Sequence, residues 1–165
     1  TLGVTTLISD SGVTRYRVNT EEWMMYDRKK PSYWAFEKGV YMEQFDSIFN
    51  VEASIKADTA YYYDKERLWK LIGNVDIQNR KGERFNTELL YWNEATQKVY
   101  SDKFIRIQQP DRIITGHGFD SNQQMTIYTI RNIEGIFYVD EEASSGPPQP
   151  ETKALPDSVN KDTAK

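Results

Sequence analysis

Two carboxylates and one histidine are the residues of this sequence whose types and spacing suggest chemistry. Asp58 and Glu88 lie thirty positions apart, and two carboxylates on a β scaffold are what a glycosidase requires. His117 lies between Gly116 and Gly118, where a loop could present a base. We expect instead that the glycines mark a kink in a strand, and that both carboxylates are polar surface residues of a repeated hairpin. The sequence therefore predicts no enzyme.

The residue inventory argues against the other common kinds of site. The chain of 165 residues has one histidine and no cysteine, so disulfides are excluded and a zinc site lacks its usual ligands. It has neither a serine nucleophile elbow nor a glycine loop for phosphates. A net charge of -4 argues against nucleic acid as a partner, because that requires a basic surface. We expect no metal and no cofactor.

A repeat of thirty residues organises the middle of the chain. Four positions recur with the same residue or the same character: Asp58 and Glu88, Tyr61 and Tyr91, Val75 and Ile105, Ile77 and Ile107. A unit that returns at a fixed offset indicates stacked hairpins. A helix over 57–71 is the alternative, since part of this stretch fits a 3.6-residue period. Three successive tyrosines and the clean alternation on either side favour strands.

The flanking segments have the same β character. Tyr16 and Val18 alternate with Arg15 and Arg17, which is the period of a strand with one solvated face. Aromatic residues make up 13% of the chain and suit pleated, half-buried surfaces. Short strands at regular spacing, with turn residues between them, predict an all-β fold. A sandwich, a jelly roll and an open roll all fit this pattern.

The character of the sequence changes near residue 140. Four of the six prolines lie beyond it in a polar segment with few apolar side chains. Such a segment cannot offset the entropy cost of ordering. We therefore predict a folded β domain over 1–140 and a disordered, proline-rich polar tail over 141–165.

The aromatic residues admit two binding functions. Exposed tyrosines and tryptophans could stack on sugars, as in a carbohydrate-binding module or surface adhesin. Inward rings and aliphatic side chains could instead line a groove for acyl chains. Stacked hairpins that do not close into a barrel would also leave two sheet edges free to pair with another chain by strand addition.

Five segments, taken in order, resemble the LptC family of periplasmic lipopolysaccharide-export proteins. They are Ser11–Tyr16 (SGVTRY), Lys56–Ala60 (KADTA), Leu71–Val75 (LIGNV), Thr87–Trp92 (TELLYW) and Gly116–Ser121 (GHGFDS). The resemblance covers roughly residues 5–138, and the sequence around 55–92 is most similar to the Bacteroidetes branch.

The resemblance implies a twisted, open β-jelly-roll (an OstA-like roll) of stacked antiparallel hairpins. It implies a bridge protein without enzymatic activity. Such a protein accepts lipopolysaccharide from the inner-membrane ABC transporter and passes it to the next periplasmic bridge protein, which is LptA-like. Acyl chains would lie inside the roll. The expected location is the periplasm, with an inner-membrane anchor, either a helix or a lipid, outside this sequence.

Candidate site residues come from two sources. Alternation predicts an apolar interior, to which the resemblance assigns lipid binding, and its members are Tyr16, Val18, Trp34, Phe36, Val40, Ala53, Ile55, Leu71, Val75, Ile77, Phe85, Ile105, Ile107, Phe119 and Ile127. The resemblance adds two glycines, Gly12 and Gly116, that serve assembly or function in the family. Any bulge reverses the inward and outward assignments that follow it.

Overall fold

The structure is a computed structural model that describes residues 2–10 and 13–139. Within these ranges the chain forms strands and no helix, so no described segment is a helix able to cross a membrane. The strands are β1 (Leu2–Asp10), β2 (Val13–Glu22), β3 (Met24–Tyr26), β4 (Tyr33–Phe36), β5 (Val40–Phe45), β6 (Val51–Ala57), β7 (Thr59–Tyr63), β8 (Leu68–Asn79), β9 (Arg84–Asn93), β10 (Lys98–Gln108), β11 (Arg112–Asn122) and β12 (Tyr128–Tyr138). The predicted tail (141–165) and Gly12 lie outside the described residues.

All twelve strands belong to one antiparallel sheet. The main path runs β1-β2-β5-β6-β8-β9-β10-β11-β12, and β3, β4 and β7 form a branch that joins it through β8. The first and last strands of this path do not pair with each other, so the sheet rolls up without closing. This confirms the predicted all-β, open jelly-roll. Over 57–71 the chain forms strands β7 and β8, so the helical alternative is wrong.

The interior of the roll follows from the two-residue period of the strands. In β8 the side chains of Trp69, Leu71, Val75 and Ile77 are all at most 1% exposed. Their neighbours on the opposite face include Lys70, which is only partly buried. Inward side chains from β2 through β11 form a single apolar cluster between the layers of the roll. The core is therefore shared by the whole sheet.

The sheet bends along one line that crosses its strands. On one side of the roll the line separates β2 from β3 at Trp23, β4 from β5 at 37–39, and β6 from β7 at Asp58. The backbone N–H of Asp58 donates to the Gly73 carbonyl at 2.9 Å. Gly73 and Asn74 form the corresponding bulge in β8, both with positive φ. Bulges of this kind bend a strand and increase its twist.

The bend continues through the remaining long strands. Opposite the β8 bulge, β9 changes register at Glu88, and β10 changes register with β11 between Ser101 and Phe104. In β11 the bend reaches Gly118, which has a φ of 82°. The glycines around His117 therefore do mark a strand kink, as the sequence predicts. Because the line is continuous, the two halves of the sheet can fold towards each other.

Buried hydroxyl groups satisfy backbone carbonyls at the bend. Thr20 Oγ1 donates to the Gly39 carbonyl at 2.8 Å, and Thr87 Oγ1 donates to the Phe104 carbonyl at 2.8 Å. Ser101, which is 0% exposed, donates to the Leu89 carbonyl at 2.6 Å. A buried carbonyl without a partner is costly. These side chains therefore replace hydrogen bonds at sites where the regular strand pairing is interrupted.

Gly116 allows β11 and β12 to approach closely. A Cβ atom at this position would lie 2.6 Å from Cγ2 of Ile130 and would overlap the carbonyl oxygen of Asn132. The overlap involves backbone, so a side chain here would push the last strand away from the sheet. The packing requirement at Gly116 is consistent with a glycine of structural importance. Its suggested role in assembly stays a prediction.

We predict that Ser101→Ala lowers the free energy of unfolding by about 1–3 kcal/mol, since it leaves the Leu89 carbonyl buried without its partner. The amide of Lys103, which donates to Ser101 Oγ at 3.1 Å, loses its acceptor as well. Urea unfolding measures the effect. Ser54→Ala on β6 is the matched control, and we expect it to change stability by less than about 0.5 kcal/mol. Equal effects of the two substitutions would contradict this account of the bend.

Candidate functional site

The predicted interior residues fall into three groups by burial. Twelve are buried: Val18, Phe36, Val40, Ala53, Ile55, Leu71, Val75, Ile77, Phe85, Ile105, Ile107 and Phe119. Tyr16 and Trp34 are half-buried and pack against the core. Ile127 is 76% exposed and lies outside the interior. The lipid-binding role of this set stays a prediction.

The assignment of Ile127 to the interior is wrong because a side-chain turn precedes β12. Asn122 Oδ1 accepts hydrogen bonds from the backbone N–H groups of Thr126 at 2.9 Å and Ile127 at 3.1 Å. These bonds hold Ile127 in the turn. β12 begins one residue later, and Tyr128 contacts the core together with Ile130. Met125, inside the turn, is 1% exposed and fills the interior in place of Ile127.

Sequence reasoning missed part of the interior. The buried residues absent from the predicted set include Met42, Trp69, Leu90, Trp92 and Val99. Trp69 and Val99 continue the alternation of predicted neighbours, so the pattern contained the signal. Leu90 and Trp92 do not continue the alternation from Phe85, because the change of register at the bend reverses the inward parity within β9.

Apolar side chains at the two ends of the sheet are only partly buried. Ile8 on β1 and Tyr16 on β2 belong to one end, and Ile114 on β11 and Ile130 on β12 belong to the other. All of them pack against the central cluster. β1 and β12 have no backbone pairing with each other. Partly accessible apolar surface therefore lies at both ends of the sheet, and we define the seam of the roll as the opening between β1–β2 and β11–β12.

A carboxylate links one end of the sheet to its middle. The side chain of Glu94 is 8% exposed; it accepts hydrogen bonds from Tyr16 Oη at 2.7 Å and Trp69 Nε1 at 2.8 Å. Tyr62 Oη donates to it at 3.4 Å. Burial, followed by the interaction with Glu94, raises the pKa of Tyr16 and raises that of Tyr62 to about 12. The neutral phenols therefore hold β2 and β7 against the turn that follows β9.

A second polar cluster stands beside the start of β12. Asn79 Nδ2 donates to Glu83 Oε1 at 2.9 Å and to the Met125 carbonyl at 2.8 Å. Tyr128 Oη donates to the other oxygen of Glu83, and Gln109 Nε2 donates to Tyr128 Oη at 2.5 Å. Burial, and then the Glu83 carboxylate, raise the pKa of Tyr128 to about 12. The cluster fixes the β11–β12 turn to the β8–β9 turn.

The edge strands present apolar side chains to solvent. On β12, Ile133 is 58% and Phe137 59% exposed, and on β1 Leu7 is 54% exposed. Each strand pairs on one side only. Long edge strands with apolar side chains are templates for pairing with another chain. The described structure therefore combines an apolar interior, a seam and free edges at β1 and β12, the two ends of the main path.

The residues considered first for catalysis lie on the outer face. Asn74 donates to Asp58 Oδ2 through Nδ2 at 2.7 Å and to Glu88 Oε2 through its backbone N–H at 3.2 Å. His117 contacts Glu134 and meets Phe104 edge-on. Within residues 2–10 and 13–139 no three histidine, aspartate or glutamate residues are grouped so as to hold a metal ion. Both carboxylates therefore have a structural role at the bend, because they accept hydrogen bonds from Asn74 in the β8 bulge.

A family comparison covers nearly all of this architecture. The family model described as "Lipopolysaccharide-assembly, LptC-related" matches residues 4–138, which run from the third residue of β1 to the end of β12. No curated protein matches the sequence significantly.

We predict a loss of stability at alkaline pH that depends on Tyr128. Its phenol has a pKa of 10.0 when exposed and about 12 in the folded protein. The stabilisation is therefore complete below pH 10 and is lost as pH rises towards 12. Tyr128→Phe lacks this ionisation, so the stability advantage of the unmodified protein should shrink between pH 10 and 12. Denaturant unfolding of both proteins measures it. Parallel pH dependences would contradict the role given to Tyr128.

Proposed function

The chain belongs to the LptC-related family of lipopolysaccharide-assembly proteins, and on this premise we propose that it is a periplasmic bridge protein of lipopolysaccharide transport. It accepts lipopolysaccharide from the inner-membrane ABC transporter and passes it to an LptA-like bridge protein. The observation that carries the proposal is the open roll, with an apolar interior, a seam and free edge strands.

The seam suits the acyl chains of the glycolipid. Ile8, Tyr16, Ile114 and Ile130 are partly buried apolar residues that pack against the core from both ends of the sheet. Each methylene that leaves water for such a surface contributes about 0.8 kcal/mol. A few methylenes on each of several chains therefore supply substantial binding energy, while sugars and phosphates remain outside the interior.

Opening the seam requires no strand pairing to be broken. β1 pairs with β2 alone and β12 with β11 alone. The β1–β2 end of the sheet is held against the middle through side chains, including the Tyr16–Trp92 ring contact with centroids 5.4 Å apart and the Tyr16–Glu94 hydrogen bond. Acyl chains replace such apolar contacts with equivalent ones, so the cost of opening is offset by the ligand.

The edge of β12 suits a partner strand. An incoming strand would extend the sheet by backbone hydrogen bonds, and the exposed Ile133, Ile136 and Phe137 would contribute side-chain contacts. Extension of one open roll by another produces a continuous apolar surface along which a lipid can travel. Membership of the family makes an LptA-like protein the expected partner for this edge.

The proposed activity is transport without catalysis. The interior offers hydrocarbon contacts, and its two buried carboxylates, Glu83 and Glu94, are engaged by tyrosine, asparagine or tryptophan donors. Energy for directional movement comes from ATP hydrolysis by the inner-membrane transporter. In this proposal the chain supplies a path for lipid.

We predict that a photoreactive residue at Ile130 crosslinks to lipopolysaccharide, because this side chain lies at the seam. The same residue at Thr129, on the exposed face of β12, is the matched control and should show background labelling only. Immunoblotting for lipopolysaccharide after irradiation measures both. Equal labelling at the two adjacent positions, with folding verified by circular dichroism, would contradict passage through the seam.

We also predict that Ile133→Lys weakens binding of an LptA-like partner by about tenfold, or ~1.4 kcal/mol, because a charge on a strand edge opposes pairing. Leu7→Lys places the same charge at a similarly exposed site on β1 and should leave the affinity unchanged. Biolayer interferometry compares the two variants. Weakening by Leu7→Lys alone would assign this partner to the other edge.

A further inference from the structure

The bend produces a groove on the outer face of the sheet, opposite the interior. It has a volume of about 1020 Å³ and spans strands β6 to β11. We define the outer groove by six of its lining residues: Lys70, Ile72, Leu89, Lys103, Phe104 and Arg106. Its size is that of a small-molecule site. The inward side chains of the same strands belong to the core, so the groove and the seam are separate surfaces.

The groove has a small excess of positive charge although the chain as a whole is acidic. Lys56, Lys70, Lys103 and Arg106 line it, and within the described part of the chain none of them forms an ion pair. The lining also contains three carboxylates, Asp58, Asp76 and Glu88, and each is engaged by a neighbouring group. Asp76 pairs with Arg84 at 3.3 Å, and Asp58 and Glu88 accept hydrogen bonds from Asn74.

These cations are spread over several strands. They extend from β6 to β10, which are three strand spacings apart, or about 14 Å. A single phosphate can contact only one end of such an array. The spacing therefore favours an extended ligand that carries more than one anionic group.

Apolar and aromatic surface lies between the charges. Phe104 is 45% exposed, and Ile72 and Leu89 are half-buried beside it. Next to the groove the rings of Tyr91 and Tyr100 stack with centroids 5.3 Å apart and planes 18° from parallel. The Nζ atom of Lys70 stands 6.0 Å from the centre of the Tyr91 ring, so it joins the aromatic pair to the groove.

We propose that the outer groove binds the phosphorylated oligosaccharide of lipopolysaccharide. Such a saccharide presents apolar C–H faces for Phe104 and the tyrosines, hydroxyls for the amides of Asn74 and Asn86, and several anionic groups for Lys70, Lys103 and Arg106. The proposal rests on the proposed function for the identity of the ligand. It assigns the sugar to a surface that acyl chains do not reach.

The two surfaces lead to a test with a ligand that lacks acyl chains. Fully deacylated lipopolysaccharide, which keeps its phosphates, is titrated into the full chain by isothermal titration calorimetry. We expect binding that Lys70→Gln combined with Lys103→Gln weakens at least tenfold. Lys65→Gln combined with Lys98→Gln removes the same charge from exposed positions outside the groove and should change affinity less than twofold. Dephosphorylated oligosaccharide should bind at least tenfold more weakly.

Several results would overturn the inference. They are an absence of binding by the deacylated ligand, equal weakening by the two double variants, and stronger binding of the groove to vesicles of anionic phospholipid than to the saccharide. Crosslinking at Ile130 reports on the seam separately. Crosslinking without saccharide binding would overturn the groove site and leave the transport proposal standing. Saccharide binding without crosslinking would contradict passage of lipid through the seam and leave the groove site standing.

Discussion

The bend line is the constraint on which the rest of this structure depends. A twisted antiparallel sheet of this width encloses a core only if its long strands change direction, and each change interrupts hydrogen bonds that a buried backbone requires. Thr20, Thr87 and Ser101 resolve the conflict by donating to carbonyls of neighbouring strands. The same bulges leave a concave strip on the outer face. Thus one feature of the backbone produces the apolar interior on one side and the outer groove on the other.

The sequence pattern predicted the strands better than it predicted their faces. Alternation identifies β8 and β10 correctly on both sides of the bend, because in each the inward parity is the same before and after it: Leu71 and Val75 are buried, as are Ser101 and Ile105. In β9 the bulge adds a single residue, so the inward positions change from odd-numbered to even-numbered residues. The alternation that buries Phe85 therefore does not predict that Leu90 is buried. A bulge is set by pairing with a neighbouring strand, and alternation within one strand carries no record of it.

Long-range polar contacts could not be predicted from the sequence for a different reason. Glu94 follows an ordinary strand end and resembles any turn glutamate, yet it accepts a hydrogen bond from Tyr16, 78 residues away. Similarly, Asn79 reads as the first residue of a turn and also binds the Met125 carbonyl. Such partners depend on how the sheet rolls up. The family resemblance predicted the rolled sheet, but the side-chain contacts that stabilise it become visible only in the three-dimensional structure.

The arrangement of β12 connects the two parts of the proposed function. Its first residues, Tyr128 and Ile130, pack against the core at the seam, whereas Ile133 and Phe137 in its second half face solvent. A partner strand that pairs along β12 would therefore act on the element that closes the interior. A ligand that spreads the seam and a partner that binds β12 influence each other only if their affinities differ between the closed and open forms. Because no strand pairing crosses the seam, side-chain contacts alone set the difference between those forms. In the proposed function, a difference that depends on side-chain contacts alone allows the carrier to release its lipid to the next protein without breaking strand pairing.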